Sequence, residues 1–94
     1  MSERSSSALV SVVIPVHDAA EYISDTLTSI LSQSLQDIEV IIIDDNSADD
    51  TLKLLQSFAA NDSRIRLLNN SQNIGAGASR NMGLKIASGE YIIF

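Results

Sequence analysis

The chain has 94 residues, 45% of them hydrophobic but only 4% aromatic, so it builds one small core of Ile, Val, Leu and Ala or part of a larger one. Twelve acidic against six basic residues give a net charge of −6, which excludes a nucleic-acid surface and a basic patch for anionic membranes. No cysteine is present, which excludes disulfide frameworks and thiolate metal sites.

The first residues, Met1 to Ser7, are polar and Ser-rich and lack the apolar stretch of a signal peptide. Residues 1–9 therefore read as a disordered lead-in and residues 10–94 as one unit, with a cytoplasmic location as the default. The longest apolar runs, Val12–Val16 and Val40–Ile43, are too short to span a bilayer. Two Asn-x-Ser triplets, at Asn61 and Asn69, match the glycosylation acceptor pattern, which is too short to carry weight.

Val10–Ile14 is a β-branched run ended by Pro15, which cannot donate to a ladder and is expected to mark where pairing stops. Its continuous apolar character suits a parallel sheet covered on both faces. Asp18 precedes Glu21 by three residues, as in a capping box, and Ile23, Leu27, Ile30 and Leu31 form one apolar stripe, so a helix is expected over 19–33. Ile38–Ile43 is the second strand and stops at Asp44-Asp45-Asn46-Ser47. Ser47 is placed to cap the next helix, with Asp49 and Asp50 in its first turn and Leu52, Leu55, Phe58 and Ala59 on its buried face.

Arg64–Leu68 reads as a short third strand and Asn69–Asn73 as a polar loop. Gly75, Gly77 and Gly83 punctuate the third helix, in which Ala78, Met82 and Ile86 keep the helical period. Gly89 stands past that helix's end. Tyr91–Phe94 is a fourth strand.

The βαβαβαβ order predicts an α/β fold, a parallel sheet with right-handed crossovers. Ligands bind such sheets at the carboxyl ends of the strands, where the strand order switches direction. Three places follow: Pro15–Asp18, Asp44–Ser47 and the loop entering the third helix.

Asp44 and Asp45 are the sharpest feature. Adjacent carboxylates repel, and a strand–helix turn does not require both. One reading makes them a turn residue and a solvated neighbour. The other makes them acceptors for a base edge or ribose hydroxyl, or ligands of a cation. His17 is the only histidine, and its place beside the cleft suits stacking on a base better than proton transfer. Gly75-Ala76-Gly77-Ala78-Ser79-Arg80 fails the dinucleotide fingerprint, because the third glycine is absent and the segment follows the third strand. Arg80 falls in the second turn of a helix whose N-terminus attracts anions, and arginine suits diphosphate; a plain surface arginine is the alternative.

Four blocks in order resemble glycosyltransferase family 2 of the GT-A type. They are Val12–Asp18, Ile41–Ser47, Asn73–Gly83 (Asn-Ile-Gly-Ala-Gly-Ala-Ser-Arg-Asn-Met-Gly) and Gly89–Phe94, with Ser29–Ser34 matching the end of the family's first helix. The resemblance covers the chain from Val10 onward. It implies a three-layer, Rossmann-like sheet of about four strands in the order 3-2-1-4, the N-terminal part of a GT-A fold. It places the nucleotide at Pro15, Val16, His17, Asp44, Asp45, Gly75 and Arg80. Asp45 would accept from a pyrimidine ring, Asp44 would support that loop, and Arg80 would lie near the diphosphate. His17 stands where the family often has Tyr, Asp18 where it has Asn, and Ala19 and Ala20 where Glu is frequent.

The family's Asp-x-Asp metal motif would begin just after Phe94 and its catalytic base further on, so no catalytic or metal-binding residue is assigned here. The resemblance then implies the nucleotide-binding part of an inverting transferase. Its donor would be a nucleotide sugar, a UDP-sugar first, and its acceptor a saccharide or lipid-linked hydroxyl. A divalent metal, Mn²⁺ or Mg²⁺, would serve the full-length enzyme, at the inner face of the membrane. Tyr91–Phe94, an unprotected apolar edge, would pair two copies into a homodimer. A non-catalytic nucleotide-binding or assembly module is the alternative. A phospho-receiver domain is rejected, because the acid pair follows the second strand and the third ends in Leu67-Leu68-Asn69-Asn70.

Overall fold

The computed structural model describes residues 8–94. It contains β1 (Val10–Val16), α1 (Ile23–Leu31), β2 (Ile38–Asp44), α2 (Thr51–Asn61), β3 (Ile65–Asn69), α3 (Ala76–Ile86) and β4 (Tyr91–Ile93). Most of the expected lead-in, residues 1–7, lies outside the described residues.

The four strands form one parallel sheet in the order β3-β2-β1-β4. Side chains alternate between the two faces of a strand, so β1 and β2 feed two cores. Val10, Val16, Val40 and Ile42 pack with Ile23 of α1 and Leu55 of α2 on one face. Val13, Ile41 and Ile43 pack under Met82 and Ile86 of α3 on the other. Every residue of β2 is buried, which is why its sequence is a continuous apolar run rather than an alternating one. Each such Ile or Leu side chain contributes about 1.5–3 kcal/mol by leaving water. The expected three-layer α/β architecture is therefore present, with α1 and α2 on one side and α3 on the other.

α3 comes unusually near the sheet at Gly83. A Cβ there would stand 2.5 Å from Val13 Cγ1 and 2.9 Å from Ile43 Cδ1, so any larger residue would force these side chains or the helix to shift.

Several boundaries differ from the sequence reading. Pairing does not stop at Pro15; the β1–β2 register continues through Pro15↔Ile43 and Val16↔Asp44. The amide of Asp45 donates to the carbonyl of Val16, so Val16 turns its polar groups toward β2. Pro15, the alternate residue, turns its nitrogen to the other side, where β4 pairs only as far as Val12. The missing N–H therefore costs no ladder bond.

α1 begins at Ile23, not 19, and no capping box forms, because Tyr22 is its cap residue and makes no side-chain cap bond. α2 begins at Thr51, and its sheet-facing side is Thr51, Leu54, Leu55, Phe58 and Ala59 rather than one containing Leu52. The third strand is Ile65–Asn69 and the fourth ends at Ile93. On α3, Ala78 is exposed, and Ser79 and Gly83 take the buried positions. The helix already ends at Ile86, so Gly89 has a different role, described below.

Candidate functional site

β1, β2 and β3 all end at one edge of the sheet, and the loops that follow are held together mainly by carboxylates. Asp44, the last residue of β2, is fully buried. It accepts from the Ser47 hydroxyl (2.6 Å), the Ser47 amide (3.3 Å) and Asn69 Nδ2 (3.0 Å), and so folds the turn in which Asn46 takes a left-handed φ of 58°. The Ser47 hydroxyl accepts in turn from the Asp18 amide at 2.9 Å. Asp18, itself left-handed with φ 49°, accepts from the Ala48 amide at 2.7 Å. Short polar side chains tolerate this conformation better than others.

The amides of Ala19 and Ala20 donate to Thr51 Oγ1 (2.7 Å) and Asp49 Oδ2 (3.2 Å). Asp49 also accepts from the Thr51 amide at 2.9 Å. The side chains expected to cap α1 and α2 within their own segments, Asp18 and Ser47, thus tie the β1–α1 loop to the β2–α2 loop.

Asp45 does the same for the third loop. Its side chain is buried, with 3% of the residue exposed. Oδ1 accepts from the Ile74 amide (2.8 Å) and Asn70 Nδ2 (3.0 Å), and Oδ2 from the Gly75 amide (2.8 Å). These donors depress its pKa, the Ile74 amide first and then Asn70; burial opposes them, and the Gly75 amide and the charge of His17 add to the lowering. A carboxylate has about four acceptor positions, and three are filled.

His17 Nδ1 lies 2.8 Å from the Asp45 carbonyl oxygen, and its Nε2 is 3.3 Å from Asp18 Oδ2. The side chain keeps 45% of its surface exposed. Pro15, Val16, His17 and Asp45, with Ala76 at the start of α3, line a cavity of about 60 Å³ open to one side.

The structure therefore brings Pro15, Val16, His17 and Asp45 to one place. Asp44 lies behind them as the organiser of its turn, and Gly75 is joined to them through Asp45. Arg80 is not part of the cavity lining. Its guanidinium lies over the Phe94 ring, 5.4 Å from the centroid, and its buried Nε has no partner among the described residues.

Asn70, Ile74 and Ala76 were not singled out from the sequence. The Asn69-Asn70 pair at the carboxyl end of β3 was the available signal, since that end of each strand faces the site. Asn70 is buried and bonds both Asp45 and the Ser79 hydroxyl.

Among the described residues no three His, Asp or Glu side chains stand together to hold a metal ion. Asp44 and Asp45 each already accept from three N–H or O–H donors, so this pair does not fit a divalent cation.

Residues 11–94 match the family described as Glycosyl transferase family 2. Among sequence relatives, glycosyltransferase GlyG of Streptococcus pneumoniae is 38% identical over 92% of this chain and 29% of its own length. The Escherichia coli UDP-Glc:alpha-D-GlcNAc-diphosphoundecaprenol beta-1,3-glucosyltransferase WfaP is 43% identical over 92% of this chain and 34% of its own. Among solved structures, S. aureus TarS 1–349 in complex with UDP-GlcNAc superposes with a TM-score of 0.82 at 31% identity, covering 90% of this chain and 25% of that one. The mannosyltransferase PcManGT from Pyrobaculum calidifontis, in complex with GDP-Man and Mn²⁺, gives 0.82 at 25% identity, covering 90% and 26%. The chain thus spans about a quarter to a third of these four proteins, and over that span it superposes on the two solved structures. It belongs to glycosyltransferase family 2, with the corresponding part of a GT-A fold.

Proposed function

We propose that this chain is the nucleotide-binding portion of an inverting glycosyltransferase. The enzyme moves a sugar from a nucleotide-sugar donor, a UDP-sugar first, to a saccharide or lipid-linked hydroxyl in cell-envelope or polysaccharide synthesis. The observation that carries this reading is the cavity at the carboxyl ends of β1 and β2, lined by Pro15, Val16, His17 and Asp45. There the imidazole offers a stacking face and Asp45 an acceptor position for the edge of a base. The buried, unpartnered Nε of Arg80 supports a diphosphate nearby. WfaP, whose name states a UDP-Glc donor and a diphosphoundecaprenol acceptor, and TarS, bound to UDP-GlcNAc, support the donor and acceptor classes.

In this reading the divalent cation and the general base come from residues other than those described, and residues 1–94 alone transfer no sugar. The place of action is the cytoplasmic face of the membrane; among the described residues no helix is long and apolar enough to cross it. The exposed β4 edge pairs two copies of the chain, and sedimentation of the wild type and of Ile93→Lys tests that pairing.

Calorimetric titration with UDP, UMP and GDP tests the main reading. UDP binding that falls in both Asp45→Ala and His17→Ala is the expected result. Absence of binding to all three nucleotides would favour an assembly module built on the same half-fold.

A further inference from the structure

The amino ends of the strands, opposite the nucleotide site, carry a polar cluster that the reading above does not use. Ser11 and Glu39 are partners in the β1–β2 register, and both are buried on the face covered by α3. A carboxylate in that position is costly unless its oxygens are satisfied. Glu39 Oε2 accepts from the Ser11 hydroxyl (2.5 Å), the Ser88 amide (2.6 Å) and the Ser88 hydroxyl (2.9 Å). Arg66 Nη1 stands 3.5 Å from Oε1 and also donates to the Ile86 carbonyl at 3.0 Å. The Ser11 hydroxyl accepts in turn from the Gly89 amide at 2.8 Å. Three neighbouring strands therefore each send one side chain to the connection between α3 and β4.

Burial raises the Glu39 pKa, but the bonds from Ser11 and Ser88 and the charge of Arg66 outweigh it, so the carboxylate stays ionised. Gly89 is required by the same contact. A Cβ there would lie 2.6 Å from the Ser11 amide nitrogen and 2.7 Å from its hydroxyl.

β4 needs such a clamp. It pairs over three residues only, all exposed, with one neighbour. A ladder this short specifies its register weakly, and a slip of one residue would turn Tyr91 and Ile93 to the opposite face. Phe94, which follows β4 directly, carries the Arg80 guanidinium on its ring.

We propose that Glu39 is a positioning residue of the nucleotide site: by latching Ser88 and Gly89 to β1 it sets the register of β4, which places Phe94 beneath Arg80. The Arg80 half of this proposal rests on the function argued above; the latch itself does not.

Amide hydrogen exchange on the full chain tests the latch without any nucleotide. In Glu39→Gln, exchange at Ser88, Gly89 and Tyr91 is expected to rise by about tenfold or more while Val40–Ile43 stay protected. Ser88→Ala, a milder change, is expected to give the same pattern if Glu39→Gln folds poorly. Acceleration spread evenly over the sheet, or none at these three amides, overturns the latch. UDP affinity tests the rest. Glu39→Gln and Arg80→Ala are each expected to weaken it about fivefold or more, with the double variant no weaker than Arg80→Ala alone. Additive losses would show that Glu39 does not act through Arg80. An unchanged affinity in Arg80→Ala overturns that half together with the diphosphate reading, and the exchange pattern still decides the latch.

Discussion

His17 Nδ1 stands 2.8 Å from the carbonyl oxygen of Asp45, so the end of β1 is held to the end of β2 by a side chain as well as by the ladder. A carbonyl only accepts, so Nδ1 carries the proton and Nε2 is the nitrogen turned toward Asp18. This bond fixes the plane of the ring, which is what a stacking surface requires.

His17→Ala removes both the bond and the surface. It is expected to weaken UDP binding by about 1–3 kcal/mol, the usual worth of an aromatic face under a base. His17→Phe keeps the face and is expected to recover most of that loss. Calorimetry on the three proteins checks the split; equal losses in both variants would show that the ring face is not used.

Asp45→Ala strips the acceptors from Ile74, Gly75 and Asn70 and frees the loop entering α3. UDP affinity is expected to fall by about tenfold or more. Asp44→Ala acts on the Ser47 turn behind the cavity, so its expected effect is mainly on stability. An affinity loss in Asp44→Ala as large as in Asp45→Ala would reverse this assignment.

Two glycines on α3 separate packing from propensity. Gly83→Ala drives a methyl into Val13 and Ile43 and is expected to cost about 1–3 kcal/mol. Gly77→Ala meets no atom within 4 Å and is expected to stabilise by about 0.4–1 kcal/mol through the unfolded state. Denaturant midpoints of the two variants should move in opposite directions.

These contrasts also show what the sequence made legible. The β-branched runs of β1 and β2 announced strands, and their unbroken apolar character announced a sheet covered on both faces. Helix starts were misplaced because Asp18 and Ser47 look like local caps, yet they bond across to another loop, at Ala48 and at Asp18. A pattern read along the chain cannot reveal a partner 29 or 30 residues away. Asp45 was visible as a candidate site residue because it follows a strand. Its bonds to Asn70, Ile74 and Gly75 were not visible, because they depend on α3 crossing to the other face. Gly89 was read as a helix stop, although its small size serves the close approach to Ser11.

Acid should loosen the fold through the same carboxylates. The Ile74 amide on Asp45, the Thr51 hydroxyl on Asp49 and the Arg64 side chain on Asp62 each hold a pKa below the ordinary range. Glu39 joins them, its hydrogen bonds overcoming burial. A carboxyl depressed by folding adds stability that is complete above its unfolded pKa and fades as pH falls through the folded value. The denaturant midpoint is therefore expected to stay level from neutrality to about pH 5 and to drop below about pH 4. Glu39→Gln is expected to give a shallower acid limb, and an unchanged limb would show that this carboxylate is not linked to folding.

The acids that lace the loops also govern how a ligand arrives. Asp18, Asp49 and Asp50 are exposed around the carboxyl ends of β1 and β2, on a chain whose net charge is −6. An incoming nucleoside diphosphate is screened from these acids at long range and is repelled once it comes within about 8 Å at physiological salt, the distance inside which the ionic atmosphere no longer shields like charges. Added salt thins that barrier and leaves the short contacts inside the cavity largely intact. Capture of such an anion at the proposed site is therefore expected to speed up as ionic strength rises, the reverse of the steering that a basic cleft provides.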